Sequence, residues 1–111
     1  MPHIIVEYTD TLNIDIPALL QDLHHDLAAR EPVDINAIKT RAIPIKNCIV
    51  ANDSASNAFI HIALKLLPGR SDDLKIQMTK GLHSIARKYA NDPTLPVSVE
   101  TITLEGNSYI K

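Results

Sequence analysis

The stretch AFIHIALKLLPGRSDDLK, residues 58–75, contains a strand, a turn and the beginning of a helix. Residues 58–67 are mostly apolar and include β-branched side chains, which favours a strand. The turn follows at PGRS, where Ser71 is a suitable N-cap and the two aspartates after it suit a first helical turn. The next apolar residues have helical spacing and predict an amphipathic helix: Leu74, Met78, Leu82, Ile85 and Tyr89.

The same order of elements occurs on both sides of this stretch. After the breaker NDPTLP, residues 97–105 alternate as a strand. In the first half, residues 2–8 predict a strand, and a helix runs from an N-cap at Asp15 to about Arg30, where Pro32 ends it. A further strand is expected over 38–45. The chain therefore has two strand–helix–strand units with a period of about 56 residues.

These units predict an α/β fold made by duplication, with pseudo-repeats at about 2–50 and 57–107 in one domain of 111 residues. Strands joined by a crossover helix are normally parallel. We expect a four-stranded sheet with two helices on one face and another copy of the chain against the other face. A ferredoxin-like fold has a similar element count and is the alternative. Residues 46–57 form a polar loop with room for a short hairpin, and the tail GNSYIK has a sequence that could pair with a neighbour.

Composition excludes several classes of partner. The formal charge is −2, with 11 basic and 13 acidic residues, which gives no basis for nucleic-acid or anionic-membrane binding. No apolar run is long enough to span a bilayer, and no signal peptide is visible. The single cysteine, Cys48, rules out an internal disulfide and suits a cytoplasmic setting. The histidines lack metal-ligand spacing, since His24 and His25 are adjacent on a helix and point in different directions.

Pro2 lies at the start of the first strand, directly after Met1. If aminopeptidases remove Met1, as they do before small residues, the chain begins with a secondary amine fixed to a strand. An α-amino group titrates near 7.7–8.0, and burial or a nearby cation lowers that pKa towards the range that suits general acid–base catalysis. If Met1 is retained, the same nitrogen is an amide without basicity.

Pro2, the strand IKTRA with Arg41, and LPGRSDDLK with Arg70 together resemble the tautomerase superfamily. Most of the chain is similar to the 5-carboxymethyl-2-hydroxymuconate delta-isomerase family within it. The resemblance implies a duplicated β-α-β fold, a homotrimer, an amino-terminal proline as base, and no metal or organic cofactor. It implies enol-to-keto isomerisation of a 2-hydroxymuconate-type dicarboxylate, in the bacterial breakdown of aromatic acids such as homoprotocatechuate.

The resemblance also implies that Arg41 and Arg70 bind the substrate carboxylates, which suits the planar, bidentate guanidinium. His3 stands next to the proposed base, where it would line the pocket or pack at a subunit interface. In the second repeat, Glu100 lies near the position of a substrate-binding arginine in the single-repeat relatives. The loop at 46–57 and the C-terminus are shorter than in that isomerase family, which leaves other substrates open.

Two alternatives remain at this stage. The same fold and base would serve a phenylpyruvate-like tautomerase or an enzyme that adds water to an unsaturated acid. A non-enzymatic trimeric module would retain Met1, and its arginines would have no functional role.

Overall fold

A computed structural model of the chain describes residues 2–30, 33–53 and 57–111. Its elements, in chain order, are β1 (His3–Thr9), α1 (Ile16–Ala28), a single 3₁₀ turn (Ile35–Ala37), β2 (Lys39–Ile45), β3 (Ile60–Leu66), α2 (Asp72–Tyr89) and β4 (Val97–Thr103). The six helices and strands expected from the sequence are confirmed, with ends that differ by no more than two residues. Met1 and Pro32, on which two of the expectations rest, lie outside the described residues.

The four strands form one sheet in the order β2-β1-β3-β4. β1 pairs in parallel with β2, and β3 pairs in parallel with β4, as expected for two β-α-β units. The two units join through the central strands, which are antiparallel, with His3 opposite Lys65 and Tyr8 opposite Ile60. A ferredoxin-like fold would separate the two strands of each unit, so this strand order excludes it.

Both helices pack on one face of this sheet and enclose the core. Alternate residues of the central strands point towards the helices, and their side chains are fully buried. The residues that share this core and have no exposed surface are Ile4, Val6, Leu19, Leu23, Leu27, Ile60, Ile62, Leu64, Met78, Leu82 and Ala86. The helical spacing read from the sequence therefore identifies the packed stripes of α1 and α2.

Side-chain caps fix where each helix begins. The Asp15 carboxylate accepts a hydrogen bond from the Ala18 amide at 3.1 Å, and the Ser71 hydroxyl accepts one from the Leu74 amide at 3.2 Å. Both N-caps are the residues predicted from the sequence. Since α2 begins immediately after Ser71, its cap also determines where the preceding loop, with Gly69 and Arg70, lies relative to the end of β3.

The other face of the sheet is not covered by any element that the structure describes. We call it the open face. Ile43 near one edge and Ile102 near the other are 44% and 37% exposed. The described part of the loop at 47–53 forms turns and no strand, so the short hairpin is not formed there. Within the described ranges, neither helix has the length and hydropathy needed to cross a membrane.

We expect Thr9→Val to destabilise the join between the two repeats. Thr9 is 6% exposed, and its hydroxyl accepts a hydrogen bond from the Phe59 amide at 3.0 Å. Valine keeps the shape but leaves that partly buried amide without its partner, at about 1 kcal/mol of unfolding free energy. Urea denaturation measures the change. Thr103→Val, at an exposed position of β4, is the control and should change stability by less than about 0.5 kcal/mol. Equal effects in the two variants would contradict this role for Thr9.

Candidate active site

The edge of the sheet where β1 begins brings together residues from both repeats. Because β1 is parallel to β2 and antiparallel to β3, the starts of β1 and β2 lie beside the ends of β3 and β4. Pro2 is buried at this edge, directly before β1. Its carbonyl oxygen accepts a hydrogen bond from the Lys39 amide at 3.0 Å, so the pairing with β2 already includes Pro2. The candidate base is therefore held by the sheet itself.

His3 and Arg41, two of the predicted substrate-binding residues, contact each other on the open face. Arg41 is the register partner of Ile5, two residues along β1 from His3. Its Nη1 lies 3.1 Å from Nδ1 of the His3 ring. Strand alternation directs the Pro2 ring to the opposite face, the one that carries the helices. The structure thus joins His3 to Arg41 and places Pro2 beside them in sequence, with its ring on the other face.

The hydrogen bonds of His3 define its protonation state. A guanidinium can only donate, so Nδ1 of His3 accepts from Arg41 and carries no proton. Nε2 lies 2.8 Å from the hydroxyl oxygen of Tyr109 and, in the neutral ring, donates to it. Burial, reinforced by the positive charges of Arg41, Lys39 and Lys65, lowers the pKa of His3 below its usual 6.5. Geometry and electrostatics therefore agree on a neutral His3.

Tyr109 was not identified from the sequence, which predicted only that the tail could pair with a neighbour. It lies 106 residues from His3, and the two rings meet edge to face with centroids 6.1 Å apart. The sequence contains only a weak indication that Tyr109 has a role. Tyr109 is one of three tyrosines in a chain without tryptophan, and it stands in an otherwise polar tail.

Arg70, the second predicted arginine, lies in the loop between β3 and α2. Gly69 precedes it with a φ of 117°, a left-handed conformation that glycine adopts without strain. Arg70 is half-buried, and its buried Nε has no hydrogen-bond partner among residues 2–30, 33–53 and 57–111. Within the described residues, no hydrogen bond joins it to His3 or Arg41. A buried donor of this kind requires an explanation, and an anionic ligand is one.

Two lysines that sequence reasoning did not select add positive charge at this edge. Lys39 and Lys65 are the register partners of His3 on its two sides. Arg41 lies on the same strand face as Lys39, and Arg70 lies in the loop that follows β3, so four cations lie on elements that meet at this edge although the whole chain carries a formal charge of −2. We call these four residues the cationic edge. Lys39 was recognisable in principle, because it shares a strand face with Arg41.

The second repeat has the same backbone arrangement with the opposite charge. His61 of β3 is the register partner of Ser98, and Glu100 lies two residues further along β4. His61 bonds to both, with Nδ1 2.6 Å from the Ser98 hydroxyl and Nε2 2.5 Å from the Glu100 carboxylate. Glu100 thus has the same relation to His61 that Arg41 has to His3. The second repeat presents a carboxylate where the first presents a guanidinium.

A depression also lies at the opposite edge of the sheet from Pro2, and its polar groups hold a loop in place. Asp92 is its one ionisable side chain, and hydrogen bonds from the Thr94 hydroxyl and amide lower the pKa of that carboxyl. Arg87 donates to the backbone carbonyls of Leu95 and Asp92 at 2.8 Å. These contacts fix the loop after α2. Among the described residues, no three histidines, cysteines or carboxylates gather into a possible metal site.

We expect His3 to make the stability of the protein depend on pH. Because its folded-state pKa is lowered, the unfolded chain binds more protons below pH 6.5, and the free energy of unfolding falls as the pH decreases below that value. In His3→Gln, the part of this decrease in unfolding free energy that comes from His3 should be absent. The comparison of urea denaturation between pH 7.5 and 5 tests this, with His25→Gln on α1 as a control for removal of a histidine. Identical pH slopes for wild type and His3→Gln would refute it.

The comparisons with known proteins agree with this fold. A family model described as 5-carboxymethyl-2-hydroxymuconate isomerase matches residues 2–108. A 5-carboxymethyl-2-hydroxymuconate isomerase from Deinococcus radiodurans superposes with a TM-score of 0.87 at 27% identity, over 99% of this chain and 87% of the other. A 5-carboxymethyl-2-hydroxymuconate delta-isomerase superposes with a TM-score of 0.88 at 16% identity, over 100% of this chain and 87% of the other.

A more distant match is a fused 4-OT described as a wild-type symmetric trimer, with a TM-score of 0.78 at 17% identity, over 96% of this chain and 99% of the other. No curated protein sequence gives a significant match. The family model spans both repeats, including Pro2, Arg41 and Arg70. The chain therefore belongs to the 5-carboxymethyl-2-hydroxymuconate isomerase family and is an isomerase with the tautomerase fold.

Proposed function

We propose that this isomerase ketonises a 2-hydroxymuconate-type dicarboxylate, with 5-carboxymethyl-2-hydroxymuconate as the first substrate to test, and that Pro2 transfers the proton. The observation that carries the proposal is the cationic edge: Lys39, Arg41 and Lys65 lie on the strands that flank the start of β1, and Arg70 lies in the loop that follows β3, in a chain of net negative charge. A substrate with two carboxylates would be attracted to this edge by electrostatic complementarity.

Pro2 would act first as general base and then as general acid. Its nitrogen takes the proton of the substrate 2-hydroxyl, the enol collapses to a ketone, and the resulting ammonium returns a proton to carbon further along the conjugated chain. Once Met1 is removed, burial of Pro2 would disfavour the ammonium form and would keep the amine available as a base near neutral pH. This role requires removal of Met1, which lies outside the described residues.

The arginines would bind and polarise the substrate. His3 occupies Nη1 of Arg41, so the edge formed by Nε and Nη2 remains for two parallel hydrogen bonds to a carboxylate. Arg70 brings a buried Nε for which the described residues provide no hydrogen-bond partner. A carboxylate bound at the 2-hydroxy end would be held by one of them, and negative charge on the adjacent enolate oxygen would be stabilised.

We also propose that three copies assemble as a homotrimer. The open face exposes Ile43 and Ile102, and the fused 4-OT neighbours are described as symmetric trimers. After removal of Met1, the first repeat would begin with an amine while the second begins inside the chain, so each chain would supply one base and the trimer three. The product would pass to enzymes that act on unsaturated keto acids in the breakdown of aromatic acids.

We expect wild-type protein lacking Met1 to ketonise 5-carboxymethyl-2-hydroxymuconate faster than the spontaneous reaction, followed by ultraviolet absorbance. Intact mass on the same sample verifies the loss of Met1. Pro2→Ala should lower kcat by about 10²-fold, within the range that general acid–base catalysis contributes. A chain with one uncleaved residue before Pro2 keeps the ring but converts its nitrogen to an amide, and should be inactive. Wild-type rates in either variant would exclude Pro2 as the base.

The same assay tests the arginines. Arg41→Ala and Arg70→Ala should each lower kcat/KM by about 10-fold or more, because a charge-assisted, bidentate contact is lost. Lys46→Ala, beyond the far end of β2, removes an exposed cation away from this edge and is the control. Equal effects in all three variants would mean that general electrostatic attraction, and not specific contacts, governs binding.

We expect sedimentation equilibrium to give a mass three times that of the 12.2 kDa chain. Ile102→Asp places a charge on the open face and should shift the protein towards the monomer, since an unpaired buried charge is strongly unfavourable. Ile35→Asp, at an exposed position of the 3₁₀ turn, is the matched control. A monomeric wild-type protein at the concentrations used for activity would overturn the trimer.

A further inference from the structure

The C-terminal segment, residues 104–109, returns along the cationic edge after β4. The Leu104 amide donates to the Leu66 carbonyl at 2.7 Å, which extends the pairing beyond the end of β4. The amides of Ser108 and Tyr109 then donate to the Glu105 carbonyl at 3.1 and 2.9 Å and close a turn. The segment thus has its own backbone hydrogen bonds and a defined path back towards β1.

The turn packs closely on the loop that carries Arg70. A Cβ atom at Gly106 would lie 3.2 Å from Cγ of Pro68, two residues before Arg70, so glycine allows an approach that a side chain would obstruct. On the other side, Tyr109 reaches the ring of His3. The segment therefore touches the surroundings of both candidate arginines, one through Pro68 and the other through His3.

Three side chains form one hydrogen-bonded chain on the open face. The Tyr109 hydroxyl accepts from Nε2 of His3, at 2.8 Å, and Nδ1 of the same ring accepts from Nη1 of Arg41, at 3.1 Å. Arg41 itself selects the tautomer with the proton on Nε2, because a guanidinium can only donate, whereas the Tyr109 hydroxyl holds the imidazole ring in position from its other side. Without the contact to Tyr109, the ring would lose its hydrogen bond at Nε2 and would be freer to rotate away from Arg41.

We propose that Tyr109 is a positioning residue for substrate binding: through His3 it holds Arg41 in the orientation that presents Nε and Nη2 to a substrate carboxylate. The inference rests on the proposed function for the identity of the ligand, a dicarboxylate. Arg41 is exposed, and among the described residues His3 is its one hydrogen-bond partner. The orientation of Arg41 therefore depends on the His3 ring. Fixing a long side chain before binding lowers the entropy lost when the ligand arrives.

The second repeat provides an internal control. His61 occupies the position equivalent to His3, but it bonds to Ser98 and Glu100 of β4 and has no tyrosine from the tail. His61→Gln therefore removes a histidine from the same sheet face in the same backbone setting. It leaves the Tyr109–His3–Arg41 chain unchanged.

The test compares wild type, Tyr109→Phe and His61→Gln in two ways. Nuclear Overhauser contacts between the His3 ring and the Arg41 side chain report the position of the ring, and they should be present in wild type and weakened in Tyr109→Phe. KM and kcat for 5-carboxymethyl-2-hydroxymuconate should separate, with KM raised about three- to tenfold in Tyr109→Phe and kcat within about twofold. His61→Gln should match wild type in the His3–Arg41 contacts, in KM and in kcat.

A binding measurement separates this inference from the proposed reaction. Adipate, a six-carbon dicarboxylate that cannot isomerise, is titrated while the Arg41 Nε–H resonance is followed. Tyr109→Phe should weaken adipate binding about three- to tenfold. If wild type binds adipate in this way but does not turn over the hydroxymuconate, the proposed reaction fails and the positioning role stands.

Three results would overturn the positioning role. The first is a set of unchanged contacts between the His3 ring and the Arg41 side chain in Tyr109→Phe. The second is unchanged KM and adipate affinity in that variant beside normal wild-type turnover. The third is no effect of adipate on Arg41 in wild type. Parallel losses of kcat and of thermal stability in Tyr109→Phe, with KM unchanged, would assign the tail a purely structural role and would also reject the proposal.

Discussion

The antiparallel pairing of β1 with β3 is the constraint on which the site depends. Each β-α-β unit by itself places its two strand starts at one edge of the sheet. The antiparallel join between units brings the ends of β3 and β4 to that same edge. Pro2 and Arg41 come from the first unit, and Arg70 and Tyr109 from the second. A parallel join would have placed these two pairs at opposite edges of the sheet.

The duplicated backbone also allows the two repeats to be compared residue by residue. In each repeat a histidine on the central strand reaches a charged residue two positions along the edge strand. That residue is Arg41 in one case and Glu100 in the other. The geometry of the pair is thus a property of the fold, whereas the charge is a property of the sequence. With Arg41 on β2 and Glu100 on β4, the open face of a single chain carries opposite charges on its two outer strands, and the side with Arg41 is the one that suits an anion.

Local sequence signals were sufficient to predict the helices and strands, but they were insufficient to predict the contacts between them. Asp15 and Ser71 predicted the helix starts because a cap acts within three residues. The sequence did not distinguish this strand order from a ferredoxin-like one, because periodicity shows which residues share a face but not which strands are neighbours. Tyr109 was missed for the same reason. Its partner is 106 residues away, and a tyrosine in a polar tail carries no local pattern.

The choice of histidine at position 3 has a physical reason that follows from the charges around it. An aspartate or glutamate there would also bind Arg41, but it would neutralise the guanidinium and compete with a substrate carboxylate for it. A neutral imidazole accepts one hydrogen bond and leaves the positive charge intact. Burial and the cations Arg41, Lys39 and Lys65 keep His3 in that neutral form by lowering its pKa. The same charges that would attract a dianionic substrate therefore maintain the uncharged residue that orients one of them. Electrostatic attraction and preorganisation at this edge consequently have a common origin.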